Sequence, residues 1–239
     1  MTEKNKELDR RSFLKQSLTG LAAIGATAGC GMGAAQAKTE SAAAAKPIVR
    51  TLGKTGLKMP VVSMGVMNAD NPAVVQAALE TGIVMLDTAH GYQRGRNEQM
   101  IGEVVKGRPR DSYMIMTKVP GPNREKAMQG LDGAALQKAF LDRFDLSLQR
   151  LGLEHVEVLY LHNNSAPDHV KNPDMIAALQ TAKKSGKARF IGITTHSNEP
   201  AVIRATIEAK AYDVILTAYN FRQDHREEVR KAVAEAAAA

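Results

Sequence analysis

The feature that most constrains this 239-residue sequence is a recurring apolar run of strand length. Runs of this kind stand at Val61 to Val66, Ile83 to Leu86, Tyr113 to Thr117, Val156 to Leu161, Ala188 to Thr194 and Val214 to Ala218. Most are near-continuous, the pattern of strands covered by helices on both faces of a parallel sheet. The stretches between them are punctuated as helices. Asn71-Pro72 offers an N-cap and a first-turn proline with Gly82 as the stop, and Asn172-Pro173 with Gly186 repeats this around Asp174 to Ser185. A longer helix over about Ala134 to Leu151 sets Leu136, Phe140, Phe144, Leu148 and Leu151 on one stripe before Gly152. Asn198-Glu199-Pro200 opens another helix, and Arg226 to Ala239 reads as a last one. Ahead of the first run, Ile48 to Leu52 and Leu57 to Met59 flank Gly53-Lys54-Thr55-Gly56 as a short antiparallel hairpin.

Six strand and helix units, with no Gly-rich dinucleotide fingerprint after the first strand, favour an α/β fold of the TIM-type (β/α)8 barrel class over a doubly wound sheet. A complete barrel typically needs about 250 residues, so about six of its eight units are expected here, with two exposed sheet edges and a chain that continues. With 44% hydrophobic and 24% charged residues the composition is that of a folded domain. The formal charge of +7 leans towards acidic partners, yet five Tyr, five Phe and no Trp leave few platforms for base stacking, so no nucleic acid partner is expected. The single cysteine, Cys30, excludes an internal disulfide framework and any CxxC-type metal or redox site, and no metal is expected.

The first 37 residues read as a leader: a basic start, an Ala/Gly/Thr-rich middle, and Ala35-Gln36-Ala37 where a signal peptidase would cut. Arg10-Arg11-Ser12-Phe13-Leu14-Lys15 resembles the twin-arginine export motif, which implies passage through that translocation machinery as a folded protein and a periplasmic location. Thr27-Ala28-Gly29-Cys30 offers a second reading, a lipoprotein box with acylation at Cys30. Residues 38–47 form a linker and 48–239 the barrel domain. With no run of eighteen strongly apolar residues after residue 40, no membrane span is expected once the leader is removed.

In a barrel, chemistry sits at the C-terminal ends of the strands. Those ends supply Asp87 after the second run, Lys118 after the third and His162 after the fourth, with Tyr92 five residues beyond Asp87 in a loop before a helix that Asn97 is expected to cap. An ammonium beside a phenol favours its ionised form, and a carboxylate holds that ammonium charged. A carbonyl between Tyr92 and His162 would be polarised for reduction, with the phenol as general acid. Taken singly, each has an ordinary structural role available; together, at successive strand ends, they make a reaction centre.

These residues lie in longer motifs. Leu52-Gly53-Lys54-Thr55-Gly56-Leu57, Leu86-Asp87-Thr88-Ala89 with Tyr92, Thr117-Lys118, Ser147-Leu148-Gln149-Arg150-Leu151-Gly152-Leu153 and Tyr160-Leu161-His162 resemble the aldo-keto reductases in order and context, from about Ile48 onwards. The resemblance implies a catalytic tetrad of Asp87, Tyr92, Lys118 and His162, and reduction of a small-molecule carbonyl by hydride from a reduced nicotinamide, usually NADPH, with NADH as an option. It also implies that Asn68, Asp87, Thr194 and Thr195 approach the cofactor.

The sequence departs from the family where the nicotinamide is held. Gly192-Ile193-Thr194-Thr195-His196 replaces the frequent Gly-Val-Ser-Asn-Phe, and Leu216 stands where a Gln often precedes Tyr219-Asn220 by three places. Asn163-Asn164-Ser165 after His162 suggests a polar substrate side, and Arg94 and Arg96 flank the Tyr92 loop. Two other readings remain open: a lyase that forms a Schiff base on Lys118, and a non-catalytic barrel.

Overall fold

The computed structural model describes residues 47–239. The leader expected over residues 1–37, with its twin-arginine motif and Cys30, lies outside the described residues. A two-stranded antiparallel hairpin comes first, β1 (Val49–Thr51) and β2 (Lys58–Pro60), with Val49 opposite Pro60. Its connection turns at Gly56, whose φ of 74° is the left-handed conformation that glycine adopts without a side-chain clash.

Six parallel strands follow in the order of the chain: β3 (Met64–Gly65), β4 (Met85–Asp87), β5 (Met114–Pro120), β6 (Val156–His162), β7 (Ala188–Thr195) and β8 (Val214–Thr217). The connecting helices are α1 (Pro72–Glu80), α2 (Arg96–Val105), α3 (Gly133–Leu151), the short α4 (Pro167–Lys171), α5 (Pro173–Lys184) and α6 (Glu199–Ala209); α7 (Arg226–Ala238) follows β8. The sheet curls into part of a TIM-type barrel, with six strand and helix units behind the hairpin, as the spacing of apolar runs predicts.

The helix ends follow the sequence punctuation. Asn71 accepts from the Ala73 backbone N–H at the start of α1, and Asn172 accepts from those of Asp174 and Met175 at the start of α5. Gly152 closes α3 in the left-handed conformation. The expected first strand, however, shrinks to Met64–Gly65, because Val61 N–H donates to Ile48 O and so prolongs the hairpin ladder instead of the sheet. Helix α4, five residues long, carries too little periodicity to be visible in the sequence.

Successive side chains of a strand face opposite sides, so residue parity divides the core in two. The outward residues of the strands, such as Ile115, Leu159, Leu161, Ile191 and Ile193, pack with the helix stripes around Phe140, Phe144, Leu148 and Leu179. The inward residues Met85, Met116, Val158, Tyr160 and Val214 form a second cluster, joined by Leu57 and flanked by Leu52 and Met59 of the hairpin segment. The hairpin thereby closes the N-terminal end of the sheet. Gly192 makes room for the buried Tyr160 ring: a Cβ there would lie 2.9 Å from the ring and 2.3 Å from Val214 O. With this lower layer filled, the inward positions nearer the C-terminal strand ends are left for polar groups.

Candidate active site

Parity and register together place Asp87, Lys118, His162 and Thr194 on the inward side. Asp87 pairs with Met116, Lys118 with Tyr160, Pro120 with His162 and Thr194 with Leu216, so the four ascend across neighbouring strands. Lys118 is the hub. Its ammonium is almost fully buried and donates to Asp87 Oδ2 at 2.6 Å, to Thr88 O at 2.7 Å and to Tyr92 Oη at 3.3 Å, which uses all three hydrogens. The same nitrogen lies 4.9 Å from the Tyr92 ring centroid. The His162 ring meets Tyr92 edge to face, with centroids 5.9 Å apart and planes at 77°.

The electrostatics follow from burial. Desolvation raises the Asp87 carboxyl above its usual range, opposed by the charge and hydrogen bond of Lys118. Burial lowers His162 to about 3, with Lys118, His196 and Arg124 adding cationic repulsion, so its imidazole is neutral at physiological pH. Asp87 Oδ1, Asn163 Oδ1 and Asn164 Oδ1 are buried and have no hydrogen-bond partner among the described residues. An orphaned acceptor is costly unless a donor from outside the chain completes it.

The residues expected to meet a cofactor are less uniform. Thr194 Oγ1 accepts from the Asn163 backbone N–H at 2.7 Å, which leaves its own hydrogen free to donate. Thr195 has the opposite parity, and its hydroxyl donates to Ser197 O at 3.0 Å. Asn68 is exposed beyond the end of β3. Arg94 and Arg96 are also exposed, consistent with solvated loop charges.

The Asn97 side chain does not cap α2; Gly95 holds the N-cap position. Asn97 is instead buried in the first turn, where it accepts from Thr88 Oγ1 at 2.6 Å and donates to Val66 O at 2.7 Å. Glu98 and Arg150, neither of them a site candidate from the sequence, have side chains that meet behind the Tyr92 loop at 3.2 Å. Their signal was present: Glu98 shares the α2 stripe of Ile101 and Val105, and a carboxylate on an apolar stripe needs a buried partner.

The aldo/keto reductase family profile matches residues 62–236, most of the chain and all of the curled sheet. The chain belongs to this family. Among curated relatives, L-galactose dehydrogenase of Arabidopsis thaliana is 35% identical over 160 residues, which cover 61% of this chain and 48% of that protein. L-glyceraldehyde 3-phosphate reductase of Escherichia coli is 32% identical over 168 residues, covering 63% and 46%. The chain thus spans about half the length of the curated relatives it matches. Among solved structures, the holo form of an aldo-keto reductase from Bacillus halodurans superposes with a TM-score of 0.63 at 27% identity, over 79% of this chain and 63% of that one. A Klebsiella pneumoniae aldo-keto reductase, solved with NADPH, shares the fold with a TM-score of 0.60 at 18% identity, over 80% of this chain and 66% of that one.

Proposed function

We propose that this chain carries the reaction centre of an NAD(P)H-dependent carbonyl reductase that converts an aldehyde or ketone to an alcohol, with Tyr92 as the general acid. The observation that carries this reading is the hydrogen-bond pattern of Lys118. Because the ammonium donates into the phenol oxygen, the hydroxyl hydrogen of Tyr92 is left to point elsewhere. A substrate oxygen held against Tyr92 Oη receives that proton as it gains negative charge, and the fixed Lys118 cation stabilises the phenolate left behind. Asp87 holds the ammonium in place. His162, neutral beside this cation, offers an N–H to the same oxygen without contributing a charge of its own.

A reduced nicotinamide, when bound, supplies the hydride that this centre lacks. The residues present fit such a group. Asp87 Oδ1 is a buried, unpartnered acceptor suited to a sugar hydroxyl, and Thr194 retains a donor hydrogen suited to a carboxamide oxygen. Thr195 keeps only its lone pairs, for an amide N–H, and exposed Asn68 would contribute from the loop after β3. Half-buried Asn163 beside His162 supports a polar carbonyl substrate. If the leader is read as above, the protein works in the periplasm after twin-arginine export.

Tyr92→Phe is the test. It keeps the ring and its contacts and removes the proton, so NADPH-dependent reduction of a panel of small aldehydes should fall at least a hundredfold while NADPH binding, followed by fluorescence titration, changes less than twofold. Turnover unchanged in that variant would remove Tyr92 as the acid. Borohydride trapping of a substrate carbonyl on Lys118 would favour the lyase reading, and an absence of saturable NADPH binding the non-catalytic one.

A further inference from the structure

Behind the Tyr92 loop lies a charged pair that the proton chemistry does not use. Glu98 has no solvent exposure, yet sits in the first turn of α2 above buried Ile101 and Val105. Its two oxygens are divided between two partners. Oε1 accepts from Thr117 Oγ1 at 2.7 Å, and Oε2 from Arg150 Nη1, on α3, at 3.2 Å. Arg150 Nη1 also donates to His90 O at 3.0 Å. Thr117 immediately precedes Lys118 on β5, and His90 stands two residues before Tyr92. One ion pair therefore joins the strand that carries the ammonium to the loop that carries the phenol.

The loop is shaped around this pair. Gln93, Arg94 and Gly95 take φ of 50°, 60° and 88°, three successive left-handed residues. The φ of Gly95 favours glycine, and a Cβ there would lie 2.3 Å from Arg150 Cζ and push the guanidinium aside. His90 is gripped from three sides: its N–H donates to Lys118 O at 2.9 Å, its carbonyl accepts from Arg150, and Nδ1 lies 3.1 Å from Ser147 Oγ on α3. An apolar pair of similar volume would hold α2 against α3 equally well. It would leave the Thr117 hydroxyl and the His90 carbonyl without partners.

We propose that Glu98 and Arg150 are positioning residues for Tyr92: the buried pair fixes the Tyr92 loop against β5 and so sets the distance between the phenol oxygen and Lys118 Nζ. Neither residue touches the reacting atoms, and the proposal rests on the reading of Tyr92 as proton donor.

The test uses the full chain with Glu98→Gln, Arg150→Lys and Arg150→Met. For Glu98→Gln, kcat should fall at least tenfold while KM for the carbonyl and the Kd for NADPH stay within twofold. Backbone hydrogen exchange in residues 88–95 should accelerate at least tenfold while β6 and α5 remain as protected as in the parent. Arg150→Lys, which keeps the charge, should retain more turnover than Arg150→Met; if Arg150→Met does not fold, the other two variants decide. Unchanged kcat in Glu98→Gln, or exchange that accelerates equally throughout, overturns the proposal. A parent chain without any turnover would remove the reductase reading, and the exchange measurement would still show whether the pair holds the loop.

Discussion

Replacing Lys118 by Met keeps most of the buried stem and deletes the ammonium, which strands Asp87. Lys118 Nζ is the only partner of Asp87 Oδ2 among the described residues, and Oδ1 has none, so the variant buries a carboxylate with neither oxygen bonded. Removing one member of a buried ion pair costs about 3–5 kcal/mol. The Asp87 side chain keeps 20% exposure, which lets water carry part of the charge and brings the expected loss to about 2–3 kcal/mol. For a domain of this size that is a lowering of Tm by about 4–12 °C. The loss also has a pH signature. Burial already raises the Asp87 carboxyl, and without the cation it rises further. A group whose folded pKa lies above its unfolded value of about 3.9 contributes stability that is complete below that value and lost as pH climbs through the folded one. The deficit of Lys118→Met relative to the parent should therefore be largest near neutrality and shrink towards about pH 5. Urea denaturation followed by circular dichroism at both pH values measures it, and adding Asp87→Asn to Lys118→Met should restore most of the loss. A deficit below about 0.5 kcal/mol, or one identical at both pH values, would refute the reasoning.

The two site-side histidines give an acid-lability prediction. His162 is lowered to about 3 and His90 to about 4, each chiefly by burial, so the folded state binds fewer protons than the unfolded one below the usual histidine value. Their contribution to stability is complete above about pH 6.5 and is lost as pH falls, about 2 kcal/mol by pH 5 for His162 and less for the more solvent-screened His90, and NMR titration should show neither ring protonating between about pH 5 and 8. Gly192→Ala forces a Cβ to within 2.3 Å of Val214 O and should destabilise by about 1–3 kcal/mol in urea melts, since a backbone atom of β8 must move. Phe140→Ala, at a fully buried position of α3, should cost about 3–5 kcal/mol in the same assay.

The central strands were readable because they are covered on both sides: β5, β6 and β7 extend the sequence-read apolar runs by only one to three residues at their C-terminal ends. The edge was not. Val61 and Val62 are as apolar as any core strand, yet both are exposed, because the hydrogen bonding of that segment goes to the hairpin. Apolarity identifies what can be buried, and the choice of partner is a tertiary matter. The same distinction applies at the site. Asp87, Lys118 and His162 stand at strand ends, where position along the chain already implies position in space. Glu98 and Arg150 are 52 residues apart on different helices, and nothing local to either announces the other. Asn97 was misread for a related reason: the residue type suits a helix cap, but a left-handed glycine occupied that place and freed the side chain for Thr88 and Val66.

The strand order, identical to the order of synthesis, has a kinetic consequence. Every neighbouring pair in the sheet is one helical crossover apart, so each added strand closes a loop of similar length, and loop-closure entropy rises only slowly with length. Growth is then governed by which strands gain most on pairing. The longest, β5, β6 and β7, have seven, seven and eight residues, against two for β3 and four for β8. A nucleus built on these three, extended by β4, already brings Asp87, Lys118 and His162 together. On this reasoning the strand residues of the candidate site are expected in the part of the sheet that pairs first, while Tyr92 joins them from the loop after β4.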